Sequence, residues 1–544
     1  MKRIFLHPLT LLGSILILLM GGWLLLLPTQ LAGKIKQSIE TRTGRSFEIA
    51  GGAGFRLSPQ IGLNLFDVTF SGSSAMAEPV LKSKAVFIPL SFTSLLGGFD
   101  KDSALAFIDA DVTLAFNAEG HANILIDQNP DASKSDVNAP ELSTLSVKIE
   151  SGTFHYSDAR DGIAFVLPQF SGVFDFGDDG NLTATGSTEI NDRHANFSGT
   201  LKSLARAIEE GSPLDFNLDS EGHIFSFAGR LANLGSLNLA GQGSIETSDA
   251  QKFFKWMGVD IKALPSNLKL VLDGPFESQG STFTFKKSSF QMDQWKAVGD
   301  ILFSTQGGRK NLVTQLDFET LSVNATGKIG AWSEAPFDVA VLQNLDAQFQ
   351  ISTPQFMIGL ANLGAAKIGG LVKNAALTAS FQSATMKVSS LKIDASQLPP
   401  TLDLALSTVN ANAKALIPVL TGQNWLSGPL TMNANLKAHG KSQAEMISTL
   451  SGDVVAGVES GSITGNGGKT DFTKFAADIA LEDGIASLSN THLTLADQEA
   501  AATGEIDLLR KSFSISAEPV AKQKMLINGT WDAPKISAIA PTMH

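Results

Sequence analysis

Apolar and polar residues alternate along most of this chain, and a period of two commits a chain to strands. Leu63 and Leu65 alternate with polar neighbours, and Phe66, Val68 and Phe70 resume the pattern after a slip at Phe66. Leu105–Phe107, Val112–Leu114–Phe116 and Leu145–Val147–Ile149 repeat it. Successive side chains of a strand point to opposite faces, so each stretch offers one apolar and one polar face. Turn signals separate the stretches: Ser151-Gly152, Asp161-Gly162, Asp179-Gly180, Glu221-Gly222 and Asp483-Gly484. Asp-Gly pairs supply the positive φ that tight hairpins need. The 50 glycines are spread over these turns rather than clustered. The pattern predicts a long antiparallel meander, and helical stretches are too few for alternating strand–helix units.

Three helical punctuations are expected, at Ser248–Leu264 after a cap-like Ser-Asp, at Pro354–Val372 and at Val409–Leu420. The stretch Asp127–Leu142 is polar, carries Pro130 and Pro140, and has the composition of an exposed linker. There is no low-complexity tract and no strict repeat.

Composition narrows the class. At 544 residues the chain can form several domains or one extended structure. A net charge of −12, with 17% charged residues, excludes a large basic footprint for nucleic acid. The 34 Phe against one Tyr suit an apolar interior, because Phe brings no hydroxyl to satisfy. With no Cys, neither disulfides nor thiolate ligands are available.

Leu9 to Leu27 is an uncharged run, long enough to cross a hydrocarbon layer of about 30 Å as a helix. It exits through Pro28-Thr29-Gln30-Leu31-Ala32-Gly33, where Gln30 spoils the best cleavage match, so an uncleaved signal anchor is expected. Lys2 and Arg3 precede the run; Lys34, Lys36, Arg42 and Arg45 follow it. Counting those charges places the body in the cytoplasm, whereas large domains translocate largely regardless of charge. Charge leaves the orientation open. Beyond the run, Leu31, Ile35 and Ile39 recur every four residues, an apolar stripe on a short amphipathic helix ending near Gly44. That helix either packs under the first strands or lies at the membrane interface.

Catalytic motifs are missing. The eight His are scattered without metal-ligand spacing. Gly468-Lys469-Thr470 has the tail of a phosphate loop, but the earlier glycine would fall at Ile463. No Gly-x-Ser-x-Gly elbow occurs. Asp175, Asp178 and Asp179 before Gly180 lack calcium-loop spacing and a closing Glu, and fit a turn. Neither a cofactor nor an enzymatic activity is expected.

Thr43-Gly44-Arg45, Ile49, Gly51-Gly52, Leu57-Ser58-Pro59 and Leu63-Asn64-Leu65-Phe66-Asp67-Val68 resemble the opening of the bacterial AsmA family. Ile88-Pro89-Leu90 to Leu95-Leu96-Gly97-Gly98 resembles the next block of that family, and Gly120 and Asn123 its "G-x-x-N" turn. Asp111-Val112-Thr113-Leu114 departs from the pattern in lacking a Pro, and Ile124 stands where a Trp is common. At the far end, Gly440-Lys441-Ser442, Leu450-Ser451-Gly452, Gly461-Ser462-Ile463-Thr464-Gly465, Phe475, Ala486-Ser487-Leu488, Ala502-Thr503-Gly504-Glu505-Ile506-Asp507-Leu508 and Ile527-Asn528-Gly529-Thr530-Trp531 follow the family in order. The middle matches in texture only.

The resemblance implies a single-pass protein of the bacterial inner membrane, with its N-terminus cytoplasmic and its body in the periplasm. It implies a mainly β fold: one transmembrane helix, then an elongated, curled antiparallel sheet with an apolar groove and a few short helices. The expected segments are an anchor over 1–30, an AsmA-like region over 31–128, a linker over 129–142, a β-meander over 143–402 and an AsmA-like region over 403–544. Leu63, Leu65, Val68, Phe70, Phe87, Leu105, Phe107 and Phe116 are candidates to line the groove, although ordinary core packing accounts for them equally. The implied partners are membrane phospholipid, the inner membrane and a periplasmic or outer-membrane protein at the far end. The expected function is phospholipid transport or homeostasis between the two membranes and outer-membrane biogenesis, by shielding acyl chains. The alternative is a periplasmic scaffold that assists outer-membrane protein assembly without carrying lipid.

Overall fold

The computed structural model describes residues 27–538 apart from 42, 59, 75, 90–103, 125–144, 161, 178–179, 204–205, 208–210, 234–237, 263, 307–308, 324–331, 360, 422–423, 466–467, 496–497, 520–524 and 532. The protein is mainly β, with 69% strand and 10% helix, as the alternation requires. It divides into two compact units, Met1–Thr247 with Asp273–Phe283, and Ser248–Leu272 with Thr284–His544.

The first unit opens with a helix over 27–41 (α1). Strands β1 (Phe47–Ile49) and β2 (Ala53–Arg56) both pair with β3 (Gly62–Phe70), which continues to β4 (Leu81–Pro89) and β5 (Leu105–Phe116). Next come β6 (Leu145–Asp158), β7 (Ile163–Phe176), β8 (Leu182–Ile190), β9 (Arg193–Leu201), β10 (Ser212–Ser220), β11 (His223–Asn233) and β12 (Asn238–Thr247), antiparallel neighbours in chain order from β6 on. The expected all-antiparallel pairing fails at one place in this unit. β5 and β6 run parallel, Leu105 beside Val147 and Phe116 beside Asp158. Parallel neighbours need a crossover connection, and residues 117–144 provide the length for one.

The long strands β5, β6 and β7, and the shorter β3, each change parity at a residue with positive φ. In β5, Leu105 and Phe107 give way to Val112, Leu114 and Phe116 across Asp109 (φ 49°). In β6 the change comes at Ser151 (φ 57°), in β7 at Gln169 (φ 50°), and in β3 at Asp67 (φ 50°), beside the slip visible at Phe66. Asp109, Ser151 and Gln169 lie on the adjoining strands β5, β6 and β7, and the β5–β6 register sets Asp109 level with Ser151. The kink keeps apolar residues from both halves of a strand on one face: Leu63, Leu65 and Val68 share one cluster, and Ile149 and Phe154 another.

β13 (Leu270–Gln279) and β14 (Thr282–Met292) contribute residues to both units. The second unit holds α2 (Ala250–Trp256), β15 (Trp295–Gln306), β16 (Arg309–Phe318), β17 (Leu321–Val323), α3 (Ala340–Asn344), β18 (Leu345–Ile358), β19 (Ala361–Lys373), β20 (Ala376–Ser383) and β21 (Met386–Asp394). It continues through β22 (Thr401–Asn412), α4 (Ala413–Thr421), β23 (Leu426–Ser427), β24 (Pro429–His439), α5 (Gln443–Ser448), β25 (Ser451–Gly465) and β26 (Gly468–Glu482). β27 (Ile485–Leu495), β28 (Gln498–Asp507), β29 (Ser512–Pro519), β30 (Met525–Thr530) and β31 (Ala533–Ala538) close it. Here β16 and β17 lie parallel to β18, and the later strands pair antiparallel with near neighbours in sequence.

The helical expectations fare differently. The first shrinks to α2, whose N-cap Asp249 accepts from the Lys252 N–H at 3.1 Å, and Gly258 (φ 77°) follows it. Pro354–Val372 is a correction: it forms the end of β18, a turn and β19. Its Ala, Leu and Met content is helix-forming, but Ile358, Ala361, Leu363, Ala366 and Ile368 meet in one apolar cluster, so cross-strand packing overrides propensity. In the third, 409–412 ends β22 and only the remainder enters α4. Among the described residues no helix is long and apolar enough to cross a membrane. The proposed anchor lies outside the described residues except for Leu27, the first residue of α1, and so does the whole of the Asp127–Leu142 linker.

The parity change yields a test. The Ser151 side chain is exposed, so substitutions there act mainly through the backbone. Ser151→Gly is expected to leave stability unchanged or raise it, and Ser151→Val to lower it by about 1–2 kcal/mol in urea denaturation. Equal midpoints for the two variants would contradict the account.

Candidate functional site

The amphipathic helix and the predicted groove residues meet in one place. Leu63, Leu65 and Val68 are at most 1% exposed and pack with Phe47, Val86, Ile88 and Ala32. Leu31, Ile35 and Ile39 of α1 cover this cluster, and Phe70, Leu105 and Phe107 flank it. This stripe of α1 therefore covers the first strands. Phe87 lies on the other face, level with Asn64, with the Arg56 guanidinium 4.8 Å from its ring centre. Phe116 sits apart with Ala122 and Tyr156.

Residues of the two N-terminal sequence blocks lock this end together. Arg45 is buried and its Nη1 donates to the Asn123 carbonyl at 3.0 Å. The Asn123 side chain accepts from the Ala115 N–H and donates to the Thr113 carbonyl. Asn123 is fully buried, so these bonds replace water for the backbone it touches.

Beyond α1 the apolar face continues on the later strands of this unit, carried by phenylalanines. Phe154 lies 5.5 Å from Phe170, and Phe170 stacks on Phe197 at 5.5 Å with ring planes 8° apart. Phe174 lies 5.8 Å from Phe170. Further along, Phe225 and Phe227 lie 5.6 and 5.8 Å from Phe276, which stacks on Phe283 at 6.4 Å. Phe154, Phe174, Phe197, Phe216 and Phe225 are half-buried, and Phe283 is 42% exposed. The opposite face carries Thr183, Thr185, Asn196, Ser198, Asp215 and Asn217, all of them exposed. Most of this aromatic face lies outside the residues named from sequence. A signal was present: phenylalanine at alternate positions of one strand, with glycine opposite on the next.

That pairing has a steric cause. Phe197 pairs across from Gly186, where a Cβ would lie 2.6 Å from the Phe197 ring. In the second unit Phe349 pairs with Gly370 and Phe472 with Gly461, and a Cβ on those glycines would lie 2.1 and 2.6 Å from the rings. Each ring occupies the space that a side chain on the facing glycine would fill. In the second unit the face is closed at α4, whose Leu416 packs with Phe356, Ala361 and Leu363 and whose Ala413 and Ile417 pack with Leu426, Leu430 and Val458.

Two carboxylates, one at a strand end and one in the first turn of a helix, are held below their usual range. The Ser396 hydroxyl and N–H, with Lys392, hold Asp394 down to about 2. The Lys441 N–H holds Glu445 below its usual range, within a capping box whose N-cap Ser442 accepts from the Glu445 N–H. Among the described residues no group of three or more His, Asp or Glu is arranged to hold a metal ion. What this arrangement offers is apolar contact.

No protein-family model, curated protein or solved structure matches the chain.

Two outcomes check this description. Gly370→Ala is expected to destabilise the protein by about 1–3 kcal/mol through overpacking. In a Phe349→Ala background most of that loss disappears, because the three atoms nearest the new methyl all belong to that ring; additive losses would refute the pairing. Asp394 is more acidic folded than unfolded, so its contribution is present above about pH 4 and falls away towards pH 2. The melting temperature of Asp394→Asn should therefore lie below that of the parent at pH 6 and converge with it near pH 2; a constant gap would contradict the assignment.

Proposed function

We propose that this protein is a membrane-anchored, non-catalytic carrier that shields phospholipid acyl chains along a curled β-groove. Leu9–Leu27 anchors it in a bacterial inner membrane, with the N-terminus cytoplasmic and the body in the periplasm, and it serves phospholipid transport to the outer membrane and outer-membrane biogenesis. The observation that carries the reading is the half-buried phenylalanine face of the first unit, backed by an exposed polar face on the same strands. A two-faced sheet must cover its apolar side, and acyl chains do so as well as protein. The AsmA-like blocks at both ends of the sequence support the same assignment.

The magnitudes favour such a device. Exposing an acyl chain of roughly sixteen carbons to water costs about 12 kcal/mol, at about 0.8 kcal/mol per CH₂. A continuous apolar lining removes most of that barrier without a nucleotide or a reacting group. Rings seated against glycine offer acyl chains apolar contact without polar groups, which suits chains that slide.

The test places a photoreactive phenylalanine analogue at Phe197 or Phe225 in cells and analyses the adducts by mass spectrometry. Phospholipid adducts are expected at both positions and none at Ser198 on the polar face, and Phe170→Glu with Phe197→Glu is expected to abolish them. Adducts with protein alone would replace this reading with the scaffold for outer-membrane protein assembly.

A further inference from the structure

Between β22 and β24 the chain leaves the main ladder of the second unit. The two strands pair directly, Ala411 with Leu430 and Asn412 with Pro429, so their ladder is complete without residues 413–428. Those residues form an excursion that carries α4 and the two-residue β23. It is pinched at its base, where the Ala413 N–H donates to the Gly428 carbonyl at 3.0 Å. Asn410 (φ 51°) and Gly428 (φ 130°) supply the turns on either side.

α4 lies against the apolar side of this unit. Leu416 shares one cluster with Phe356 on β18, Leu363 on β19 and Ala411 on β22. Ala413 and Ile417 share another with Leu430 on β24, Val458 on β25 and Phe472 on β26. Laid flat, the strands from β18 to β26 would span about 34 Å, whereas a helix with its side chains is about 10 Å across. The strands therefore gather around α4, and the helix fills a trough. Lys414, its one charged residue, is exposed. Its nine residues are too few for a stable helix in water, where roughly twelve to fifteen are needed. Pro418 also removes the bond that an N–H there would make to the Lys414 carbonyl. α4 is thus helical only while the trough covers it.

We infer that this trough is an acyl-chain site of the second unit and that α4 is its resident cover, which gives way to the chains of a phospholipid. The inference rests on the carrier reading proposed above. An acyl chain replaces the apolar contacts of Leu416 and Ile417 and brings no polar group, whereas an extended peptide or a sugar would leave donors and acceptors unpaired against the trough. No ladder bond between β22 and β24 passes through α4, so the cover can lift with those strands still paired. The site is closed when empty, which keeps its apolar lining out of water.

The test places the photoreactive phenylalanine analogue at Phe356 or Phe472 of the full chain in cells, with Phe197 of the first unit as reference. Phospholipid adducts are expected at all three positions. Leu416→Asn combined with Ile417→Asn weakens the cover and is expected to raise the yield at Phe356 and Phe472 several-fold. Pro418→Ala strengthens the helix and is expected to lower it several-fold, and neither variant should change the yield at Phe197. Because Pro418→Ala only strengthens α4, it decides the matter even where the double variant fails to fold. Yields at Phe356 and Phe472 that do not fall in Pro418→Ala, or adducts at Phe197 alone, would overturn the inference and leave the carrier reading standing. No phospholipid adduct at any of the three positions would overturn both.

Discussion

The structure depends on holding every apolar side chain of a long strand on the same face. A regular strand reverses direction at each residue, and any slip in pattern would send half its apolar residues into solvent. Asp67, Asp109, Ser151 and Gln169 solve this by taking positive φ within their strands. The cost of a left-handed residue, about 1–2 kcal/mol, is small beside the side chains it keeps on the apolar face. With the face preserved, α1 can cover its beginning and the phenylalanines can carry it onward.

Glycine and phenylalanine share the second task. Phe197 over Gly186, Phe349 over Gly370 and Phe472 over Gly461 each use a missing side chain as the seat for a ring. Glycine weakens a strand by itself, and an aromatic neighbour restores the contact it lacks. The abundance of both residue types in one sequence is thus a single feature rather than two.

Much of this was legible in the residues. The period of two announced strands, and the stripe Leu31–Ile35–Ile39 announced a helix with one apolar side. The slip at Phe66 marked the parity change without explaining it, because the pattern does not show that Asp67 takes the positive φ. Pro354–Val372 misled for the opposite reason: its helix-forming composition is local, while the contacts that fix it as strands come from residues such as Phe381 and Met386. The parallel pair β5–β6 was hidden because direction across a long connection is not written in either strand. Leu63 and Leu65 were identified as apolar positions, yet the cover they receive from α1 and the open run of Phe154, Phe174 and Phe197 become distinct only when the strands are paired.

In either unit most strands bond to their neighbours in sequence, and this makes length a separable property. Removing an antiparallel hairpin such as β8–β9 would leave β7 facing β10 in a compatible direction, so the ladder could close again about 9.6 Å shorter. The parallel joints at β5–β6 and β16–β18 do not permit such editing, since each depends on a connection that carries the chain back to its starting end. A lineage carrying this fold could therefore adjust its reach hairpin by hairpin while those two joints stay fixed, as a ladder changes height by its rungs and not by its hinges.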